Sequence, residues 1–143
     1  MSDLTIRPAR AEDTDAVFGL LTQFVTSYLP DRAAFDRHYP VLVSSSQSIF
    51  FVAALGNDVV GYALGSIALT LYANGHVLEI QELMVASEHR DQGIGRRLVE
   101  AALERALAAG CIEATAPTRR ARDFYVGLGF EETATYLKRR LTP

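Results

Sequence analysis

Arg90, Gly93 and Gly95 are spaced Arg-x-x-Gly-x-Gly directly ahead of a long amphipathic run, Ile94 to Ala109. Glycine is costly near a helix start unless the backbone itself is needed there. The first turn of a helix carries amide protons without internal partners, and the macrodipole adds partial positive charge. A strand, this loop and then a helix therefore make a good cradle for a phosphate or pyrophosphate. Arg96 and Arg97 stand in the first turn, where acidic residues are preferred, and add charge for the same anion. On spacing alone, two glycines shaping a turn with the arginines in solvent is an equal reading. Two other phosphate-binding patterns fail on detail. The dinucleotide fingerprint needs a third glycine where Leu98 stands, and the P-loop lysine and hydroxyl residue are absent.

Other reactive side chains carry weaker signals. His38, His76 and His89 are scattered without metal-ligand spacing, so no metal is expected. Cys111 is the one cysteine, which excludes an intramolecular disulfide, and its place after a helix reads as a buried structural thiol. Arg119, Arg120 and Arg122 are either a solvated basic face or a phosphate contact. Lys138 to Arg140 reads as surface charge.

The elements that must position these groups follow from periodicity. Leu4 to Ala9 reads as a strand. Asp13 caps a helix on Val17, Leu20, Leu21, Phe24, Val25 and Tyr28, stopped by Pro30. Asp31 caps a second helix with Phe35, His38, Tyr39 and Leu42 on one side, interrupted by Pro40. Phe50 to Leu55 and Val59 to Leu69 form a hairpin about Gly56-Asn57-Asp58. Val77 to Val85 is a third strand after the turn Leu71 to His76. The next helix has the stripe Ile94, Leu98, Val99, Ala102, Leu103, Ala106 and Leu107, ended by Gly110. Cys111 to Thr115 is a short strand. A helix on Ala121, Phe124, Tyr125 and Leu128 ends at Gly129, and Ala134 to Leu141 returns as a final strand. The order β-α-α-β-β-β-α-β-α-β, with hairpins first and a βαβ crossover later, predicts a mixed sheet with helices on both faces.

Composition sets the class. The chain has 143 residues, 49% hydrophobic and 22% charged, with net charge −3, as expected of one ordinary globular domain. That charge argues against nucleic acid as a main partner. No apolar run approaches the ~20 residues that span a bilayer. The opening MSDLTIRPAR lacks a signal-peptide core, and a cytoplasmic location is expected.

With these pieces in order, the sequence resembles the GNAT N-acetyltransferase superfamily. RDQGIG (Arg90 to Gly95) matches the family's Q/R-x-x-G-x-G/A pyrophosphate motif. ELMVASEHR before it is similar to the strand that carries acetyl-CoA. ARDFYVGLGF resembles the later A-x-x-F-Y-x-x-x-G-F helix, and TIRPARAED and FVAALGNDVVGYALG resemble the opening strand–helix and the hairpin. Thr118 stands where members often carry the Asn that holds pantetheine.

The resemblance implies a mixed α/β sheet of about six to seven strands, largely antiparallel, with a central splayed parallel pair. It implies acetyl-CoA as cosubstrate, a primary amine of a small molecule or protein as acceptor, and direct transfer. Pantetheine would pair with Leu83, Met84 and Val85, and the pyrophosphate would meet Arg90, Asp91, Gln92, Gly93, Ile94, Gly95 and Arg96. A base must deprotonate the ammonium. Glu82 is the first candidate and Glu79 the second, because a bulge at the splay would swap the strand's phase. Met84 is the expected amide donor to the oxyanion. Tyr125 takes the place of the proton donor to the leaving thiolate, although periodicity alone reads it as core. Asp31, Asp36 and the carboxylates of the third strand would favour a cationic acceptor. The acceptor site is expected between the first two helices, the Leu71 to His76 loop and a last hairpin, with His76 a further candidate contact. A homodimer through the last strands is compatible with the pattern. The rival in another class is a non-catalytic acyl-CoA-binding or regulatory module on the same fold.

Overall fold

The computed structural model describes residues 3–24 and 28–143. Five strands form one sheet in sequential order: β1 (Leu4–Pro8), β2 (Ser48–Leu55), β3 (Asp58–Thr70), β4 (Gly75–Val85) and β5 (Glu113–Thr115). The first three pairings are antiparallel and β4–β5 is parallel. The hairpin turns lie where the sequence puts residues that tolerate positive φ. Gly56 has φ +59° between β2 and β3, and Asn74 has φ +60° before β4.

The expected final strand is absent. Residues 131–143 carry no regular secondary structure, and Tyr136, Leu137 and Leu141 are largely exposed. Tyr136 and Leu137 are adjacent, so they would point to opposite faces, and Lys138, Arg139 and Arg140 would load both faces with charge. Neither face could be buried. The sheet therefore has five strands among the described residues rather than six or seven, and its parallel pair lies at an edge rather than in the centre.

Four helices cover the sheet: α1 (Thr14–Thr22), α2 (Arg32–Ser44), α3 (Ile94–Ala108) and α4 (Arg122–Gly127). α1 is shorter than its stripe. The Gln23 amide closes it onto Leu20 and Leu21, and the Gln23 side-chain oxygen accepts from Ser87 N at 3.2 Å, which ties the end of α1 to the loop ahead of α3. Phe24 and Tyr28 lie beyond the helix, and Val25 falls outside the described residues. Asp13 sits at the N-cap of α1, but its carboxylate is turned elsewhere. It accepts from Arg7 at 2.7 and 2.9 Å and from the Arg10 amide at 2.9 Å. Asp31 does cap α2, accepting from Ala34 N at 2.9 Å. Pro40 is tolerated inside α2 because it lies on the solvent side, where water can take the carbonyl it leaves without a donor.

α3 buries Ile94, Leu98, Val99, Ala102 and Ala106, whereas Leu107 is 75% exposed and leaves the expected stripe. Its end is a Schellman motif: the Cys111 amide bonds Ala106 O at 2.9 Å, Gly110 N bonds Leu107 O at 3.0 Å, and Gly110 has φ +86°. One apolar cluster joins Val17, Leu20 and Tyr39 to Phe50, Val52, Tyr62 and Leu64. The other joins Leu78 and Ile80 to Val99, Ala102, Ala106 and Tyr125. No helix among the described residues is long and apolar enough to cross a membrane.

Candidate active site

The parallel ladder is short. β5 pairs with β4 only over Val77–Glu79, so β4 continues from Ile80 to Val85 with no strand on that side. This is the splay. Its polar groups follow from the antiparallel ladder with β3. Ala86 N bonds Val60 O at 2.8 Å, and the register then makes Met84 and Tyr62 the next hydrogen-bonded pair. A Cβ built on Gly61 would stand 3.0 Å from Met84 O, which puts that carbonyl on β3's side as well. Met84's amide is thus turned into the sheet and is not the freed donor expected of it. Leu83 and Val85 turn their N–H and C=O groups outward, and Arg90 Nε approaches Val85 O at 3.4 Å.

The loop from Ala86 to Gly93 brings the anion-binding candidates to the end of this edge. Asp91 has φ +63° and Gly93 φ +81°, so two left-handed residues close the turn. The first intrahelical donor of α3 is Arg97, bonded to Gly93 O at 3.1 Å. The amides of Ile94, Gly95 and Arg96 precede it and form the mouth of the helix. A Cβ at Gly93 would meet open space, and one at Gly95 would make only ordinary contact, 3.5 Å from Phe124. Packing therefore does not exclude a side chain at either position; the backbone turn requires glycine at 93. Arg90 lies over the Phe24 ring at 5.1 Å, and Arg96 pairs with Glu100 at 3.2 Å. Gln92 is exposed beside them.

On the α1–α2 face, a bulge decides the chemistry. Leu64 pairs with Glu82 and Gly65 with Ile80, leaving Gln81 without an opposite residue. Ile80 and Glu82 would share a face by alternation and are instead separated. Ile80 packs in the α3 cluster, while Glu82 accepts a 2.7 Å hydrogen bond from Tyr62 Oη. Gly65 is needed opposite the bulge, since a Cβ there would stand 2.8 Å from Glu79 O. Burial, with the Glu82 carboxylate alongside, pushes the Tyr62 phenol far above its ordinary range and keeps it a donor. Tyr62 was not singled out from the sequence. The available signal was its place in the hairpin diagonal to Glu82, visible only once the register is known.

Glu82 floors a cavity of about 250 Å³ between the sheet and α1–α2, lined also by Asp31, His38, Tyr39, Phe50 and Leu64. Of the expected acceptor elements, the first two helices line it. The Leu71 to His76 loop does not; Leu71 is exposed, Tyr72 bonds Glu113 at 3.1 Å, and the last hairpin is not formed. Asp36 pairs with Arg32 outside the cavity.

Glu79 lies apart from Glu82, on an open cleft that also holds Thr115, Thr118, Arg119 and Tyr125. Tyr125 is buried between the edges of Phe124 and Phe130, and burial pushes its phenol up to about 12. The Phe124 ring lies 3.5 Å from where a Cβ on Gly95 would stand, so α4 abuts the mouth of α3. Thr118 Oγ1 accepts from Ala121 N at 3.0 Å, which commits the hydroxyl to the turn before α4. Arg122 is held by Asp123 and Glu132. Cys111 is buried, and burial raises its thiol.

Residues 15–130 match the model of the acetyltransferase (GNAT) family. The chain is 29% identical over 132 residues to aminoalkylphosphonate N-acetyltransferase of Salmonella typhimurium, covering 90% of this chain and 85% of that one. It is 33% identical over 111 residues to N-acetyltransferase 8B of Rattus norvegicus, covering 74% of this chain and 48% of the rat protein. Among solved structures, one from Bacillus halodurans described as a transcriptional regulator superposes with a TM-score of 0.87. It is 27% identical, with 96% and 99% of the two chains covered. Aminoglycoside N-acetyltransferase AAC(6')-Iy in complex with CoA shares the fold, with a TM-score of 0.85, 20% identity and 96% and 93% coverage. The chain belongs to the acetyltransferase (GNAT) family and is an acyltransferase built on that fold.

Proposed function

We infer that the protein transfers the acetyl group of acetyl-CoA directly to a primary amine. The observation that carries this reading is one juxtaposition. β4 leaves Leu83 and Val85 without a strand partner at the splay, ends at the mouth of α3, and carries Glu82 on the adjoining face.

Pantetheine pairs with the outward groups of Leu83 and Val85 as an added strand would. The pyrophosphate lies on the amides of Ile94, Gly95 and Arg96, with Arg90 beside it. Glu82 takes a proton from the ammonium, directly or through a water, and the free amine attacks the thioester carbon. The oxyanion forms at the amide of Leu83, in place of Met84; such a donor is worth about 3–4 kcal/mol. The adduct's nitrogen gives up its second proton to water, the carbonyl re-forms as the C–S bond breaks, and the departing thiolate takes a proton from the Tyr125 phenol, which solvent then restores. A phenol at about 12 is a weak acid toward a thiolate of ordinary pKa near 8.5. A thiolate leaving into the same buried surroundings is raised by the same desolvation, which narrows the gap. A reducing cytoplasm suits the lone free thiol, Cys111.

Initial rates of thiol release from acetyl-CoA across a panel of primary amines test the reading, and turnover with at least one amine is expected. The second reading, a non-catalytic acyl-CoA-binding regulator, draws support from the Bacillus halodurans relative described as a transcriptional regulator. Thermal stabilisation by CoA without turnover on any amine would establish that reading instead.

A further inference from the structure

The cavity floored by Glu82 has a composition that selects among amines. The geometry points to an acceptor with one primary ammonium on a compact apolar body, an arylalkyl or branched alkyl amine. Phosphonate- or phosphate-bearing and polyhydroxylated amines are disfavoured.

Four features support this. At about 250 Å³ the cavity is smaller than most ligand pockets, which favours a compact acceptor. Its walls are hydrocarbon and ring faces, from Val17, Leu21, Phe35, Leu42, Phe50 and Leu64. Both wall tyrosines have their hydroxyls committed to the protein: Tyr62 donates to Glu82 at 2.7 Å and Tyr39 donates to the Arg10 carbonyl at 2.7 Å. A polyhydroxylated ligand would lose its water and find few partners in return. The remaining chemistry is one-signed. Asp31 and Glu82 both line the cavity, and among the described residues none that lines it is lysine or arginine. A second anion on the acceptor would face two carboxylates in a confined space, whereas an ammonium is drawn to them. His38 is the other polar side chain at the wall.

This inference rests on Glu82 being the group that meets the amine, so its test must read binding as well as turnover. With the full chain at saturating acetyl-CoA, kcat/KM is compared for benzylamine, phenethylamine, 2-aminoethylphosphonate and an aminoglycoside. In parallel, calorimetry reads binding of each amine to the protein alone. The expected result is a kcat/KM at least ten-fold higher for the two arylalkylamines. Binding of arylalkylamines without turnover of any amine would defeat the acetyl-transfer reading and leave the pocket assignment standing. Turnover of the phosphonate or the aminoglycoside in preference would defeat the pocket assignment alone. Neither binding nor turnover of any amine would defeat both.

Phe35→Ala adds an independent readout, because Phe35 forms a wall and packs on Phe18 and Tyr39 at 5.1 and 5.2 Å between centroids. The variant should lose activity on benzylamine while gaining at least three-fold in relative preference for 4-phenylbutylamine. A loss of folding alone scales both substrates equally, and equal scaling in a variant with unchanged Tm would overturn the assignment.

Discussion

Glu82 and Tyr125 carry different burdens, and their variants should differ accordingly. Glu82→Gln keeps the shape of the side chain and an acceptor for Tyr62 but removes the proposed base. It should lower kcat by about 100-fold or more while leaving the acetyl-CoA KM within about two-fold, as steady-state kinetics would read. Tyr125→Phe removes one hydroxyl from a buried ring. It should fold, bind acetyl-CoA and lose roughly ten-fold or more in kcat; an unchanged kcat would take the phenol out of the mechanism. Tyr62 holds the Glu82 carboxylate by one hydrogen bond and is a positioning residue. Its reach to Glu82 was hidden in the sequence because residues twenty apart meet only through strand register. Glu82 was legible as one of two carboxylate candidates. What sets it on a different face from Ile80 is the bulge at Gln81, which no local pattern announces.

At the scale of elements, the loop ahead of α3 and the mouth of that helix were the most legible parts, because helix mouths and turn glycines are local features. The structure adds a distinction between its residues. Arg90→Ala should raise the acetyl-CoA KM by about ten-fold with little change in Tm, since Arg90 is exposed and, among the described residues, holds only a long hydrogen bond to Val85 O and a cation–π contact with Phe24. Gly93→Val should instead lower Tm as well, because φ +81° is strained for a β-branched residue. The free edge of β4 makes its own prediction. Amide hydrogen exchange at Leu83 and Val85 should slow on binding acetyl-CoA, while Met84, already paired with Tyr62, changes little. Strands β2 to β4 and helix α3 followed from alternation and a helical stripe. The end of α1 and the fate of residues 134–141 did not. The first depends on a distant contact, Gln23 to Ser87, and the second on whether any surface is available to bury a strand with charge on both faces.

For the molecule as a whole, two sets of buried groups fix the pH range of stability. The phenols of Tyr39 and Tyr125 are pushed up to about 12, and that of Tyr62 is raised further, chiefly by burial in each case. A raised folded value means that the contribution is complete below about pH 10 and is lost as pH climbs toward 12. Thermal melts should therefore show Tm falling steeply above pH 10. At the other end, the Arg7 guanidinium holds the Asp13 carboxyl below its ordinary value. That contribution is present above pH 3.8 and is lost as pH falls through the lowered folded value. Asp13→Asn, which leaves Arg7 without its partner, should cost about 3 kcal/mol in chemical denaturation at neutral pH and flatten the acid limb.

The sheet also stands in the order in which the ribosome delivers its strands. Each new strand can dock on a neighbour already made, so assembly can proceed vectorially while synthesis continues. The cavity under α1 and α2 and the proposed diphosphate cradle are complete once α3 has emerged, whereas Tyr125 arrives later, with α4. A product truncated between the two would be a coenzyme trap that holds thioester without turning it over.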